Sequence, residues 1–524
     1  MNLFLSIVSG CLFPLGLPND YFLYGNPWIG SFSLTPFFLA LYRAKSPKEG
    51  MALSALFGCF STFLSNYWLM FFKDYAFLTI GSVTLAYTGV YALWGAIFWK
   101  SIHWDFLKVK MYHPIGIALS WTVFEYFKSI GYLGYPWSLS PYPFNQALPL
   151  LQIADLGGIW VLSFCVAYGN ATLALALSEI DRQTLFPNAA FWLSTVLIFL
   201  LYGFYRMNHP IPLKGYLRTV LVQQNMDPWQ AGKETENLRS LIYFSRKGIE
   251  QLEGKVDLVV WSESSVSRPV SEYTNYFRRN PPEEPFFQFL KNTGTYFLIG
   301  NPVVTPLPDG SKGWQNGAIL LNSTGTILDT YGKQHPVPMA EHIPFYEVPW
   351  VKKFFQEVIG LGGIWTLGEK DTIFSVPTQE GKLIQFGAPI CFEDAFFYLC
   401  RRFILSGADL WINLTNDSWS RRESAQVQHL VVARFRSIEM KRTLIRCTNG
   451  GVTAVIGPFG EILADLPMFQ ATALAVKVPV FKEDTFTFYT HWGDWFPLGI
   501  AIFLGYGLLK DRRKGTTLGY CISF

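Results

Sequence analysis

"LIQFGAPICFEDAF" runs from Leu383 to Phe396. Its first half is an apolar run with strand character. Its second half sets a cysteine, Cys391, ahead of two acids, Glu393 and Asp394, and continues into the helical pattern "EDAFFYLCRRFIL". A strand that ends at a thiol and turns at once into a helix belongs to an α/β fold, where ligands gather outside the strand ends. A buried structural thiol needs no carboxylates beside it; a nucleophile does, if its proton has to be managed. At a helix N-terminus the thiol sees the positive end of the dipole, which favours thiolate. Glu393 and Asp394 oppose that effect while capping the helix. A cation is therefore expected nearby, and Lys333 in "YGKQHPVPMAEHIPF" is the candidate.

Outward from this segment, residues 215–480 alternate short β-rich runs with helical stretches. "YLRTVLVQQN", "VDLVVWSES", "TYFLIGNP", "GAILLNSTG", "DLWINLTND", "TLIRCTNGG" and "VTAVIGPFG" each join apolar β-formers to a polar or glycine-bearing end. Helical patterns fall at 236–252 and 422–440. Several runs are apolar throughout, as in a sheet covered on both faces. The runs 443–448 and 452–457 are close enough for a hairpin, which makes the sheet mixed. Glu263 follows "VDLVVW", another strand end. Glu263, Lys333 and Cys391 together make a chemical set: a base for the thiol proton, a cation for a developing oxyanion, and a nucleophile. A carboxylate partner, Glu341 or Glu393, would keep the lysine charged.

Taken singly, each has a plainer reading: a cysteine after a strand is ordinarily core filler, a glutamate there a solvated loop residue, and a lysine after Tyr-Gly a turn. Cys400 and Cys447 read as core thiols. Cys11, Cys59, Cys165 and Cys521 lie in or near apolar segments and read as small buried hydrophobes. His335, His342 and His429 sit in no motif that marks a Cys–His dyad.

Composition sets this domain in a different medium. Of 524 residues, 50% are hydrophobic, 17% aromatic and only 15% charged, against about a quarter charged in soluble domains. The deficit lies in residues 1–207 and 486–509. A spanning helix needs roughly 20 apolar residues, and eight candidates occur, near 1–17, 26–42, 50–72, 76–99, 113–131, 150–177, 186–205 and 486–509. The first lacks a basic flank and a cleavage site, so it reads as retained rather than as a signal peptide. The scattered net charge of +4 argues against nucleic acid, and no Cys/His spacing suits zinc.

Together these segments resemble the nitrilase superfamily, and the chain over nearly its full length resembles the apolipoprotein N-acyltransferase family. "VVWSES" is similar to the family's glutamate motif, with Ser262 where proline is usual. "YGKQHPVPMAEHIPF" is similar to the lysine motif, with Glu341 eight residues on. "GAPICFEDAF" is similar to the cysteine motif, with Phe392 where tyrosine is frequent. "NLTNDSWS" (413–420), "GYPWSLSPY" (134–142) and "VQQNMDPWQAGK" resemble further family segments. The resemblance implies a nitrilase-like αββα sandwich at 215–480, inserted between seven helices in 1–207 and a last one at 486–509, with a cytoplasmic tail at 510–524. It implies a Glu263–Lys333–Cys391 triad supported by Glu341 and Glu393, with Trp229, Asn316, Phe392 and Trp419 around the substrate and no cofactor. It also implies a bacterial inner-membrane enzyme of lipoprotein maturation. Cys391 takes an acyl chain from a phospholipid and passes it to the N-terminal amine of a diacylglyceryl-modified apolipoprotein.

Two other readings compete. A membrane-tethered amidase for a small amide has the same triad, but a soluble substrate needs no eight spans. A transporter with an external binding domain would place ionisable residues inside its spans, where only Glu125, Asp155 and Asp494 stand out.

The short loops fix the expected orientation. Arg43, Lys45 and Lys48, then Lys100, Lys108 and Lys110, then the tail from Lys510 to Lys514 mark one side; the alternate loops carry Lys73 and Lys128 alone. Basic loops stay cytoplasmic, which leaves 215–480 on the non-cytoplasmic face, the periplasmic one if the resemblance holds. Alkaline phosphatase fused near residue 330 should therefore be active and a fusion near residue 46 inactive; the reverse pattern would overturn the topology.

Overall fold

The computed structural model describes residues 1–71, 76–103, 112–178, 182–228, 230–307, 309–359, 365–482 and 486–520; Trp229, Lys73, Lys108, Lys110 and Cys521 lie outside the described residues. The strands, in chain order, are β1 (Leu213–Gln223), β2 (Leu258–Trp261), β3 (Tyr296–Gly300), β4 (Val303–Pro306), β5 (Lys312–Gln315), β6 (Gly317–Leu321), β7 (Ile327–Gly332), β8 (Phe374–Pro377), β9 (Leu383–Gly387), β10 (Leu410–Thr415), β11 (Leu444–Thr448), β12 (Ala454–Ile456), β13 (Ile462–Asp465) and β14 (Thr472–Phe481). They form two six-stranded sheets, ordered β14-β1-β2-β3-β6-β7 and β13-β12-β11-β10-β9-β8, beside the hairpin β4-β5.

The two-residue period of a strand sends its apolar residues to two different cores. Leu217, Leu221, Leu258, Val260, Leu298 and Leu320 join the core shared with the second sheet. Their neighbours Val220, Val222, Val259, Trp261, Phe297 and Ile319 join a second core under the helices Glu234–Gln251 and Phe286–Thr293. Both faces are buried, which is why these strands read as unbroken apolar runs. Between the sheets, the Cys447 thiol on β11 reaches the carbonyls of Val222 and Val260 at 3.4 and 3.3 Å. Cys447 is thus a core thiol. So is Cys400, buried on the helix Phe397–Leu405. That helix packs on β9 and β10, and Glu423–Met440 packs beside it, which makes the outer helical layer of the αββα sandwich.

Every β-rich run singled out in the sequence is a strand, and β11 and β12 pair antiparallel as a hairpin. β14 is the long strand with no signal. It pairs antiparallel with β1 from Leu213–Phe481 to Gln223–Thr472, yet its side chains are mostly half-buried and show no clean alternation. The helix after Cys391 also starts later than its pattern. Cys391–Ala395 is a 3-10 turn, and the α-helix begins at Phe397. The thiol therefore does not sit at an α-helix N-terminus.

The expected eight spans are not all present as spanning helices. Among the described residues three are long and apolar enough to cross a membrane: Ala76–Ile102, Ile159–Ser178 and Gln183–Met207. Outside these three helices the apolar segments are helical but shorter, interrupted, or charged toward one end. The 26–42 segment splits into Pro27–Gly30 and Thr35–Tyr42. The 150–177 segment breaks at Gly158, whose φ of +68° is left-handed. Asn2–Gly16 and His113–Lys128 run 15 and 16 residues, and Pro47–Ser65 opens with Lys48 and Glu49. The acids inside these segments are engaged in structure. Glu125 accepts from the Ser140 amide at 2.7 Å, Asp155 from Tyr202 and Arg206 at 2.6 and 2.9 Å, and Asp494 from Trp160 and Tyr489 at 3.0 and 2.9 Å.

The helical part and the sandwich share one core. Residues 424–440 are buried throughout, because the far side of that helix meets the N-terminal helices. At the seam Glu439 accepts the Ile159 amide at 3.1 Å, and the buried Lys441 ammonium donates to Gln152 at 2.6 Å.

Gly300 ends β3 directly beneath Glu263. A Cβ there would lie 2.3 Å from the Ser262 carbonyl oxygen and 2.7 Å from the Glu263 Cα. Gly300→Ala should therefore destabilise the protein by about 1–3 kcal/mol through overpacking, read as a lower thermal midpoint. Gly81→Ala, with open space around it, should not.

Candidate active site

Three strand ends converge. Glu263 follows β2, Lys333 follows β7, and Cys391 follows β9 through "APIC". The first two come from one sheet and the third from the other, so the site lies across the sandwich. Glu263 and Lys333 are buried, at 6% and 3% exposure, while Cys391 is partly buried.

Each polar atom of Glu263 is held. Its Oε1 accepts from Asn316 Nδ2 at 2.8 Å and lies 3.6 Å from Lys333 Nζ; its Oε2 accepts the Asn416 backbone amide at 2.9 Å. Lys333 Nζ donates to Glu341 Oε1 at 2.8 Å, and Asn316 Nδ2 also reaches that oxygen at 3.1 Å. The second Glu341 oxygen takes the Val337 amide at 2.7 Å. The backbone closes the loop, since the Lys333 amide donates to the Asn316 carbonyl at 2.8 Å. Of the two partners expected for the lysine, Glu341 is the one that pairs with it. Glu393 does not. Its oxygens take the amides of Ile390, Gln334 and His335 at 2.7, 2.7 and 2.9 Å and the Tyr331 hydroxyl at 2.9 Å.

Cys391 has φ of +51°, a left-handed conformation that costs a non-glycine residue about 1–3 kcal/mol and recurs where a side chain must be aimed. Asn413 Nδ2 bonds the Cys391 carbonyl at 3.1 Å and so helps hold the turn. Phe392 stacks on Trp137 of the helical part, centroids 5.3 Å apart. Trp419 lies against Trp68 at 5.6 Å. Both aromatics thus sit where the sandwich meets the helices.

The electrostatics differ from the sequence expectation in one respect. Burial, reinforced by the Glu263 carboxylate, pushes the Cys391 thiol well above its usual range, and Lys333 only partly offsets this. The resting residue is a thiol, not a thiolate. Burial works against the Lys333 ammonium, but Glu341 and Glu263 outweigh it and hold the lysine charged. Burial raises Glu263 too, against the pull of Lys333. Glu393 is pushed up to about 7 by burial, opposed by its amide donors. An acid that is raised but ionisable beside a protonated thiol and a fixed cation is suited to proton transfer and oxyanion stabilisation. His335 and His429 bond to Tyr398 and to two aspartates instead of to the thiol.

Asn416, Asn413 and Trp137 were not assigned roles from the sequence. All three lie in the quoted segments "NLTNDSWS" and "GYPWSLSPY". Their parts are played through a backbone amide, a carbonyl and a ring stack, which residue type alone does not announce.

The sandwich is a carbon-nitrogen hydrolase fold, and the family model of that description matches residues 218–480. A second, described as the apolipoprotein N-acyltransferase N-terminal domain, matches residues 9–172. Apolipoprotein N-acyltransferase 2 of Treponema denticola is 35% identical over 99% of both chains. Its namesake in Treponema pallidum is 34% identical over 98% of this chain and 96% of its own. The apolipoprotein N-acyltransferase of Borreliella burgdorferi is 32% identical over 94% and 92%. The chain belongs to the apolipoprotein N-acyltransferase family: it is an acyltransferase built on the carbon-nitrogen hydrolase fold.

Glu393→Ala would leave three buried donors, the Ile390 and His335 amides and the Tyr331 hydroxyl, without an acceptor, each costing about 1–3 kcal/mol. It should lower the thermal midpoint far more than Glu347→Ala, in the loop beyond the site, where the side chain is exposed.

Proposed function

We propose that the chain transfers an acyl group from a phospholipid to the N-terminal α-amine of a diacylglyceryl-modified apolipoprotein, through a thioester on Cys391. The observation that carries this reading is the Glu263 carboxylate, pinned by Asn316, Asn416 and Lys333 beside a thiol that is protonated at rest. Glu263 takes the thiol proton as sulfur attacks the ester carbonyl. The Lys333 ammonium stabilises the tetrahedral oxyanion. Collapse expels the lysophospholipid alkoxide, which takes the proton back from Glu263. In the second half the amine attacks the thioester, Glu263 accepts the amine proton, and the departing sulfur receives it. Glu341 keeps Lys333 charged and placed, Glu393 holds the turn, and Phe392 and Trp419 line the way in for lipid.

The membrane setting supports the same reading. Phe77, Leu85 and Leu93 on Ala76–Ile102, with Leu197 and Leu201 on Gln183–Met207, are exposed apolar side chains that suit lipid contact. Both substrates reside in a bilayer, and the eight-segment frame with the sandwich on the periplasmic face of a bacterial inner membrane delivers them to one site. A small-amide hydrolase would instead pass its acyl group to water, so product analysis with an apolipoprotein peptide separates the two.

The charges give opposite signs for two variants. Glu263→Gln removes a base and should slow thioester formation by on the order of 10²–10⁴-fold. It also removes a carboxylate that raises the thiol, so alkylation of Cys391 should shift to lower pH. Lys333→Met should cost roughly 10²–10³-fold and shift alkylation to higher pH. Cys391→Ser should abolish the adduct seen by intact mass. Wild-type turnover in purified Cys391→Ser, or unshifted alkylation with normal rates in Lys333→Met, would sink the assignment.

A further inference from the structure

Behind the site lies a second buried charged group that the chemistry above does not use. His429, on Glu423–Met440, sits with Nδ1 2.8 Å from Asp417 and Nε2 2.9 Å from Asp394. Arg446 on β11 bonds Asp394 and lies 3.7 Å from Asp417. The Trp137 ring covers the imidazole at 5.4 Å between centroids. All four polar side chains are buried. Ionised carboxylates only accept hydrogen bonds, so an imidazole held by one at each nitrogen must donate from both and carries a positive charge. These elements surround His429: the turn with Asp394, the loop with Asp417, β11 with Arg446, and the helical part with Trp137.

Each aspartate adjoins a piece of the site. Asp394 follows Glu393 in the turn that opens with Cys391. Asp417 follows Asn416, whose amide holds Glu263 Oε2 at 2.9 Å. We propose that His429 is a positioning residue: a fixed imidazolium that braces the Cys391 turn through Asp394 and the Asn416 amide through Asp417, and neutralises the Asp417 charge beside both reacting groups. This rests on the Glu263–Lys333–Cys391 reading. Burial does most to raise Glu263 and Cys391, but Asp417 adds to the rise of both. Burial works against the imidazolium, and the two aspartates outweigh it, to about 9. The cation is therefore in place at neutral pH.

The sign of each charge makes the test. Thioester formation from a dipalmitoyl glycerophospholipid in detergent is followed by intact mass in single turnover, from pH 5 to 9, on the full-length protein. His429→Gln exposes the Asp417 charge, so the ascending limb of the profile should move up by about one pH unit. That is about tenfold less thioester at a fixed pH on the limb. Asp417→Asn should move the limb down, and His429→Gln/Asp417→Asn should bring it back toward wild type. A general loss of packing gives no such opposite signs. Limbs that do not move, or that move the same way in the two single variants, overturn the proposal. If His429→Gln does not fold, His429→Asn is read in its place: an upward shift supports the role, and an unmoved or downward limb overturns it. Cys391→Ser run alongside separates the two readings. An adduct in that variant means the nucleophile is misassigned, whereas a blank there with unmoved limbs sinks only the role of His429.

Discussion

Glu393 ties the two halves of the site together. Its carboxylate takes the Ile390 amide from its own turn at 2.7 Å, and on the opposite sheet the Gln334 and His335 amides and the Tyr331 hydroxyl at 2.7, 2.9 and 2.9 Å. Tyr331 belongs to β7, and Lys333 is the residue between Tyr331–Gly332 and Gln334. One fully buried side chain therefore sets the Lys333 segment against the Cys391 segment. Ionised, it is held by amide donors that cannot rotate away, and burial still keeps its affinity for a proton high. A carboxylate buried this way is strongly destabilising to disturb, because any change orphans donors from both sheets.

With that seam fixed, the lysine can sit between two carboxylates without either being wasted. Glu341 takes its strong hydrogen bond at 2.8 Å; Glu263 lies farther off at 3.6 Å and keeps its oxygens for Asn316 and the Asn416 amide. The division suits the proposed roles, a base at Glu263 that gives and takes protons and a cation at Lys333 that does not. A thiol that stays protonated at rest also limits adventitious chemistry, since the thiolate is the reactive form.

The helical part bears on the same seam. Trp137 stacks on Phe392, the neighbour of Cys391, and lies over His429. The Lys128 ammonium donates to the Trp137 carbonyl at 2.7 Å. The Cys391 turn is thus packed against a segment of the helical part.

The sequence by itself determined the α/β class, the strand ends that carry Glu263 and Cys391, and the helical stretches at 236–252 and 422–440, because these depend on local periodicity and on which residues follow an apolar run; the strand that ends before Lys333, β7, showed no such run. It offered Glu341 and Glu393 alike as partners of Lys333, and the structure chose Glu341. It did not determine that Glu393 would serve amides of the other sheet instead of the lysine, that β14 would close the first sheet beside β1, or that Cys391 would lie in a left-handed turn short of the helix. Nor did it decide which apolar segments are long unbroken helices, since Gly158 and the turn after Gly30 break patterns that composition reads as continuous. The Asn416 amide on Glu263, the ring of Trp137 on Phe392 and the aspartates on His429 join segments far apart in the chain. Only packing the two sheets and the helices against one another brings such groups within hydrogen-bonding distance, and burial then sets which of them carry charge.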